Sequence, residues 1–128
     1  MRRRQLIARN LSRGTVLAED TEDASSFWAK FMGLMGRDEL PAGRGMWLPG
    51  ENGIHMLFMR FPIDVVFVSA PQGGSAGKRR VLMARRGVAP WRGVVWRVGG
   101  AKGVLELPGG TIDRTGTTVG DEISIEPA

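Results

Sequence analysis

The positions of hydrophobic and polar residues along this chain follow two different periods. After Asp20, apolar side chains recur at intervals of three and four residues, which is the spacing of one apolar helical face. Asp20 or Thr21 can cap the first amides of such a helix, and Gly36 suits its end. The pattern predicts one N-terminal amphipathic helix, whose core-facing residues are Ala24, Phe27, Trp28, Phe31, Leu34 and Met35.

Elsewhere, Gly and Pro interrupt the chain and leave short runs rich in Val, Ile, Phe and Trp, which favour strands. Residues 5–10 and 15–18 are compatible with an opening pair of strands joined by a turn at residues 12–14. Further strands are predicted near residues 45–48, 54–59, 63–69, 80–84, 94–98, 103–107 and 122–125. The seven strands predicted after the helix, about seven short and largely antiparallel strands in all, predict together with that helix a mainly β (α+β) fold. We expect the sheet to curl into a partial barrel or sandwich.

Length and composition limit the class of protein. A chain of 128 residues has the size of one domain, so we expect residues 1–128 to form a single domain. The absence of cysteine excludes disulfides, a thiol nucleophile and zinc–thiolate sites. The basic start is not followed by the apolar segment of a signal peptide, and no apolar run approaches the ~20 residues of a membrane span. The sequence therefore predicts a soluble, cytoplasmic protein without membrane association.

The net charge of +5 comes mainly from arginine, with fifteen Arg against three Lys. Guanidinium groups match phosphate and carboxylate, so this excess suits an anionic partner. The alternative is a set of solvated surface charges without a binding role. Because no nucleic-acid-binding motif accompanies the arginines, we expect at most weak, nonspecific nucleic-acid binding.

Three charged residues interrupt otherwise apolar strand segments: Arg60, Asp64 and Glu106. If the alternation of an extended chain persists across Pro62, Arg60 and Asp64 share one face and Ile63 lies on the other. Burial of a single charge is costly unless it is paired, so the three residues are expected to form one connected polar cluster on adjacent strands. Such a cluster can fix strand register or form the floor of a small polar pocket.

Several separated motifs resemble one known family, domain of unknown function 192, over roughly residues 17–125. The similar segments are Gly33-Leu34-Met35-Gly36-Arg37, Gly45-Met46, His55, residues 59–67 from Met59 to Phe67, Pro90-Trp91-Arg92, Val104-Leu105-Glu106-Leu107-Pro108 with Gly110-Thr111, and residues 116–121. The resemblance implies a small β-rich fold. It implies no established activity, substrate, cofactor or catalytic residue.

His55 is the only histidine and the only side chain whose ordinary pKa lies near neutrality. With Asp64 or Glu106 to orient it, His55 can act as a general base, although no nucleophile signature accompanies it. No ligand spacing for a metal and no phosphate-binding loop is present, so we expect neither a metal nor a cofactor.

Two Trp–Arg pairs stand close together in the sequence, and the first is Trp91-Arg92. Such pairs can bind a sugar or an unstacked base, or they can pack within the core with Arg over the ring.

The leading interpretation is a binding or accessory domain, with a polar pocket for a small anionic or sugar ligand. Arg60, Asp64 and Glu106 would form this pocket, with His55 as a further candidate and Trp91 and Arg92 at its rim. The alternatives are a hydrolase or isomerase that uses His55 with a carboxylate, and a weak nucleic-acid binder. Whether the protein is an enzyme stays open at this point, as does its oligomeric state.

Overall fold

The computed structural model describes residues 5–24, 39–55, 61–72, 78–89, 94–95 and 97–128. The described elements are nine strands and one short helix. They are β1 (Gln5–Asn10), β2 (Thr15–Asp23), β3 (Arg44–Pro49), β4 (Ile54–His55), β5 (Ile63–Val68), β6 (Lys78–Val88), β7 (Val94–Val95), β8 (Gly103–Pro108), α1 (Thr111–Thr115) and β9 (Glu122–Pro127). No helix within these ranges is long and apolar enough to cross a membrane.

Seven of the strands close into a barrel in the order β1-β2-β3-β8-β5-β6-β9, and β4 pairs separately with β7. The barrel closes because β9 pairs with β1 on one side and with β6 on the other. The prediction of a mainly β fold is confirmed, but the barrel is closed rather than partial. Closure gives these strands partners on both sides and removes the exposed edges that an open sheet would present.

The barrel is antiparallel except for one pair. Strands β2 and β3 run parallel, with Asp20 opposite Arg44 and Asp23 opposite Trp47. Parallel neighbours need a connection of a dozen or more residues, and the chain between Asp23 and Arg44 is long enough to supply it.

The predicted start of the N-terminal helix is wrong. Residues 20–23 continue β2, where Glu22 lies opposite Gln5 of β1 and opposite Met46 of β3. Backbone pairing on both sides outweighs the local preference of Asp20 and Thr21 for a helix cap. The apolar positions of the predicted helix from Phe27 to Met35 lie outside the described residues.

Two apolar cores lie on opposite faces of the sheet. The inner core contains residues from all seven barrel strands and therefore fills the barrel; its members are Leu6, Ala8, Leu17, Ala18, Trp47, Val66, Val68, Val81, Leu105, Leu107, Ile112, Ile123 and Ile125. The outer core covers one side of the barrel, over β3, β5 and β8; its buried members are Ala24, Leu40, Met46, Leu48, Ile63, Val65, Phe67, Val88, Val98, Ala101 and Val104.

Strand β5 contributes to both cores, which explains its continuous apolar sequence. Ile63, Val65 and Phe67 belong to the outer core, while Val66 and Val68 belong to the inner one. The predicted alternation of side chains along this strand is therefore confirmed. Because both faces of β5 are covered, every residue of the strand is buried, including Asp64.

Helix α1 was not predicted. The sequence after Glu106 indicates only a flexible turn, because five residues are too few to display a helical period. Ile112 is fully buried in the inner core, so the short helix inserts a side chain into the barrel near the end of β8. Helix α1 depends on this tertiary packing, since an isolated helix of one turn is unstable in water.

Candidate functional site

Asp64 is buried near the start of β5, with 1% of its surface exposed. Its Oδ1 accepts a hydrogen bond from the Gly87 amide at 2.9 Å, and its Oδ2 accepts one from the Ile112 amide at 2.9 Å. Gly87 has φ +55° and lies where the pairing of β5 with β6 is irregular. Two backbone donors compensate for burial of the carboxylate. Asp64 therefore joins the irregular end of β6 to the first turn of α1.

Glu106 lies in the middle of β8, directly opposite Met46 of β3 and Val65 of β5. Both neighbours belong to the outer core, as does Val104 two residues earlier on the same strand. Glu106 thus places a carboxyl group on an otherwise apolar face, and its side chain is partly exposed. Within the described ranges, no hydrogen bond or ion pair involves this carboxyl group.

The apolar surroundings change the acidity of Glu106. Burial raises the pKa of its carboxyl group from 4.5 to about 7, because removal from water disfavours the charged form. The neutral form of a carboxyl group both donates and accepts hydrogen bonds, whereas the ionised form only accepts. Glu106 therefore changes both its charge and its hydrogen-bonding capacity near neutral pH.

The structure separates these two carboxyl groups. In the antiparallel register of β5 and β8, Asp64 lies opposite Leu107. The next residue of β5, Val65, lies opposite Glu106. Because side chains alternate along a strand, Asp64 shares the inner face with Leu107, and Glu106 shares the outer face with Val65. The prediction that Asp64 and Glu106 belong to one connected cluster is wrong. The register between β5 and β8 decides which face each carboxyl group occupies, and the sequence of one strand alone does not show that register.

The other predicted site residues fall largely outside the described part of the chain. Arg60, Trp91 and Arg92 lie in segments that the structure does not describe. For His55 the backbone is described: it belongs to β4, opposite Val94 of β7. The pairing brings the backbone of His55 beside the chain two residues after Arg92. A role of all six residues in ligand binding stays a prediction.

A second buried polar cluster contains Asn10 and Asp121 and was not predicted from the sequence. Asp121 Oδ2 accepts hydrogen bonds from Asn10 Nδ2 at 3.0 Å, Arg13 Nε at 3.1 Å and the Thr118 amide at 3.1 Å. Burial opposes ionisation, but these three hydrogen bonds and the charge of Arg13 lower the pKa of Asp121 below its ordinary value. The network joins the turn after β1 to the segment before β9. No local signal connects residues so far apart in sequence.

One concavity of about 540 Å³ opens between the middle of β2, the turn at residues 42–43 and residues 108–111. Glu19 and Arg114 lie at its exposed margin, and Thr111 contributes a buried hydroxyl group that donates to the Pro108 carbonyl. The hydrogen bond between Asp64 and Ile112 fixes the wall beside Thr111. This cleft lies at the α1 end of the barrel, and Glu106 is not among the residues that line it.

The described residues contain no group of three or more His, Asp or Glu side chains placed to hold a metal ion. Asp64 uses both carboxylate oxygens on backbone amides, and Asp121 is bound by three donors. In this part of the chain, Glu106 is the candidate carboxyl group that is both partly exposed and not engaged by protein donors.

Sequence comparison relates this chain to a protein family described as uncharacterized. The model of the domain of unknown function 192 family, described as uncharacterized ACR, matches residues 8–125. A UPF0127 protein of Thermococcus sibiricus is 35% identical over 121 residues, which cover 91% of this chain and 73% of that protein.

Two crystal structures share the fold. One is a protein of unknown function from Novosphingobium aromaticivorans, with a TM-score of 0.74, 25% identity, and coverage of 94% of this chain and 83% of that one. The other, from Sinorhizobium meliloti, is described as a candidate transcription regulator; it has a TM-score of 0.74, 23% identity, and coverage of 97% of this chain and 94% of that one. With the family model matched over nearly the whole barrel, this chain belongs to the family of domain of unknown function 192.

Proposed function

We propose that this protein is a binding domain for a small hydroxylated ligand of the sugar class, which it contacts through Glu106 on the outer face of the barrel. The observation that carries the proposal is the position of this carboxyl group. It is partly exposed on an apolar face, and none of the described residues forms a hydrogen bond or ion pair with it. A ligand that supplies hydrogen-bonding groups would satisfy it.

The chemistry of Glu106 favours a neutral ligand over an anion. A carboxyl group with a pKa of about 7 is protonated to a large extent at neutral pH, and it can donate one hydrogen bond while it accepts another. Neighbouring hydroxyl groups of a sugar present this combination of donor and acceptor. The ionised fraction of Glu106 would repel an anionic ligand. Of the two ligand classes considered, small anions and sugars, we therefore expect a sugar.

The surroundings of Glu106 also suit a sugar. Met46 and Val65 flank it across the sheet, and Val104 lies beside it along β8. Ligand sites typically combine such an apolar surface with a few polar groups that fix orientation. The proposed rim includes His55, Trp91 and Arg92; the pairing of β4 with β7 brings the His55 backbone beside the chain two residues after Arg92. We include Arg60 as a further residue of this rim.

A thermal-shift screen with neutral mono- and disaccharides, repeated with anionic sugars, tests the proposal. A neutral sugar should raise the melting temperature of the wild type, since ligands that bind the folded state stabilise it. Glu106→Ala should abolish the shift, and Glu106→Gln should retain part of it because glutamine keeps one donor and one acceptor.

Glu19→Ala is the matched control, because Glu19 is an exposed glutamate in the cleft at the α1 end of the barrel. This variant should respond to the sugar like the wild type. If no hydroxylated compound raises the melting temperature, or if the shift persists in Glu106→Ala, the proposed site is wrong.

A hydrolase or isomerase is the second candidate function, and the raised pKa of Glu106 is the observation that favours it. Efficient general acids and bases have pKa values close to the working pH. Enzyme activity on a bound sugar, lost in Glu106→Gln while binding remains, would favour catalysis over binding alone.

Nucleic-acid binding is the third candidate function. The net charge of +5 and the description of the Sinorhizobium meliloti protein as a candidate transcription regulator favour a test of it. At 23% identity, that similarity shows a shared fold alone. We therefore expect only weak, nonspecific binding through the dispersed arginines.

A further inference from the structure

Arg79 lies at the end of the barrel opposite α1, where β6 begins and β5 ends. Its guanidinium carbon is 4.7 Å from the centre of the Trp47 ring, so the cation stacks on the indole. Trp47 is itself held over Gly103, since a Cβ built on Gly103 would lie only 2.0 Å from the Trp47 ring. The guanidinium therefore rests on a ring that has little freedom to move.

Backbone carbonyl groups orient one side of this guanidinium. Arg79 Nη1 donates to the Ser69 carbonyl at 3.0 Å and to the Lys102 carbonyl at 3.5 Å. Its Nε and Nη2 donors have no hydrogen-bond acceptor in the described protein. These two nitrogens form the edge of a guanidinium that binds two oxygens of one anion.

Among the described residues, no carboxylate neutralises the charge of Arg79. Arg13, Arg44 and Arg86 each form an ion pair with an aspartate at 2.6–3.2 Å. Arg79 is half-buried, yet no carboxylate of the described chain lies within ion-pair distance of it. Partial burial lowers the pKa of this guanidinium, because it loses water without gaining a counter-charge.

The nearby side chains add positive charge. Lys78 and Arg80 flank Arg79 on β6, and Lys102 supplies one of the carbonyl groups that orient it; all three side chains are exposed. Because side chains alternate along a strand, Lys78 and Arg80 lie on the other face from Arg79, so these exposed cations contribute only long-range attraction for a ligand with more than one negative charge.

We propose that Arg79, stacked on Trp47 at the end of the barrel opposite α1, is the binding site of a phosphate group. The Nε and Nη2 edge of Arg79 binds two phosphate oxygens, and the exposed lysines contribute long-range attraction. This site is independent of Glu106, which lies on the outer face, whereas Arg79 and Trp47 belong to the inner face. The phosphate group could be inorganic or part of a larger metabolite, and both present the same oxygens.

Titration of the full-length protein with inorganic phosphate, followed by ¹H–¹⁵N NMR at constant ionic strength, tests the proposal. We expect saturable shifts of the Trp47 indole N–H and of the Ser69 and Lys102 amides. Replacement of phosphate by chloride at the same ionic strength should produce no such shifts. Titration with a nucleoside monophosphate and the matching nucleoside then distinguishes a phosphorylated metabolite from free phosphate.

Arg79→Lys keeps the charge but removes the two-nitrogen edge, and it should weaken phosphate binding by about tenfold or more. Arg80→Lys is the charge-matched control on the same strand, because the Arg80 guanidinium is exposed and donates to the Gly120 carbonyl. This control should change the affinity by less than about twofold.

Equal losses in the two variants would show general electrostatic attraction rather than a site. Absence of saturable shifts in the wild type would show that Arg79 only closes the end of the barrel. If Arg79→Lys does not fold, the wild-type shifts decide the question alone, since the site requires them at the Trp47 indole.

Discussion

At the scale of single residues, two carboxyl groups on neighbouring strands have opposite environments. Asp64 faces the inner core and accepts hydrogen bonds from two backbone amides. Glu106 faces the outer core and is partly exposed, with no donor from the described residues. The first carboxylate is suited to hold the fold together. The second lowers the stability of the folded state near neutral pH, and we propose that it binds a ligand.

Asp64→Ala should reduce the free energy of unfolding by about 2–5 kcal/mol, because the Gly87 and Ile112 amides would lose their acceptor in a buried site. Urea denaturation measures this loss. Asp113→Ala serves as the control, since Asp113 and its partner Arg86 are both exposed; it should cost less than about 1 kcal/mol. Similar losses in the two variants would show that the Asp64 hydrogen bonds contribute little.

Stability should depend on pH through Glu106. The folded-state pKa of about 7 exceeds the ordinary value of 4.5, so the folded state holds a proton that the unfolded state releases between these values. This contribution of Glu106 to the free energy of unfolding is complete below about pH 4.5 and is lost as the pH rises through about 7. Glu106→Gln should therefore match the wild type at pH 4.5 and be more stable at pH 8, by about 1–3 kcal/mol after allowance for solvent exposure.

Urea denaturation of both proteins across this pH range gives the difference directly, and the contributions of other titrating groups cancel. A constant difference between wild type and Glu106→Gln at all pH values would contradict the raised pKa. A larger advantage of the variant at low pH than at high pH would reverse the expected sign.

At the scale of secondary structure, strand pairing overrides local preferences. Residues 20–23 carry the polar pattern of a helix start, yet they pair with β1 and β3 and extend β2. Residues 111–115 are too few to show a helical period, yet they form α1 because Ile112 packs inside the barrel. In both segments the partner elements are distant in sequence, so local propensity cannot decide the outcome.

The contact between β3 and β8 should be intolerant of added volume at Gly103. A Cβ on this residue would lie 2.0 Å from the Trp47 ring, so Gly103→Ala must displace a buried indole. We expect a loss of about 1–3 kcal/mol, measured by thermal or urea unfolding. Gly109→Ala is the control, because the nearest atom to its Cβ would be the Pro62 carbonyl oxygen at 3.8 Å. The prediction is wrong if the two substitutions are equally tolerated.

At the scale of the whole molecule, a closed barrel has an inner and an outer face, and the candidate groups divide between them. Asp64, Arg79 and Trp47 belong to the inner face. Asp64 lies towards the α1 end of the barrel, and Arg79 with its partner Trp47 lies towards the other end. Glu106 belongs to the outer face. Two independent small-ligand sites are therefore compatible with one barrel, and substitutions in one site should leave the other intact.

The excess of arginine should produce weak nucleic-acid binding that falls steeply with salt. Counterion release drives such binding, so the affinity for unrelated DNA sequences should be similar and should decrease by an order of magnitude or more between about 50 and 200 mM salt. Fluorescence anisotropy with two unrelated duplexes measures both effects. Tight binding to one sequence at physiological salt would instead indicate a specific nucleic-acid interface.

The sequence by itself determined the class of the fold and the approximate positions of most strands. These features depend on local information: runs of Val, Ile and Phe, the glycines and prolines between them, and the alternation of side chains along β5. The resemblance of the separated motifs to domain of unknown function 192 also followed from the residues alone, and the family match confirms it.

Only the tertiary structure decided how these elements assemble. Closure by β9, the parallel pairing of β2 with β3, and the insertion of α1 depend on contacts between residues far apart in the chain. The arrangement of the candidate site residues also depends on the tertiary structure. Asp64 and Glu106 each interrupt an apolar strand, but the register between β5 and β8 sends them to opposite faces. A shift of one residue would reverse the face of every side chain, and the sequence of a single strand does not encode that register.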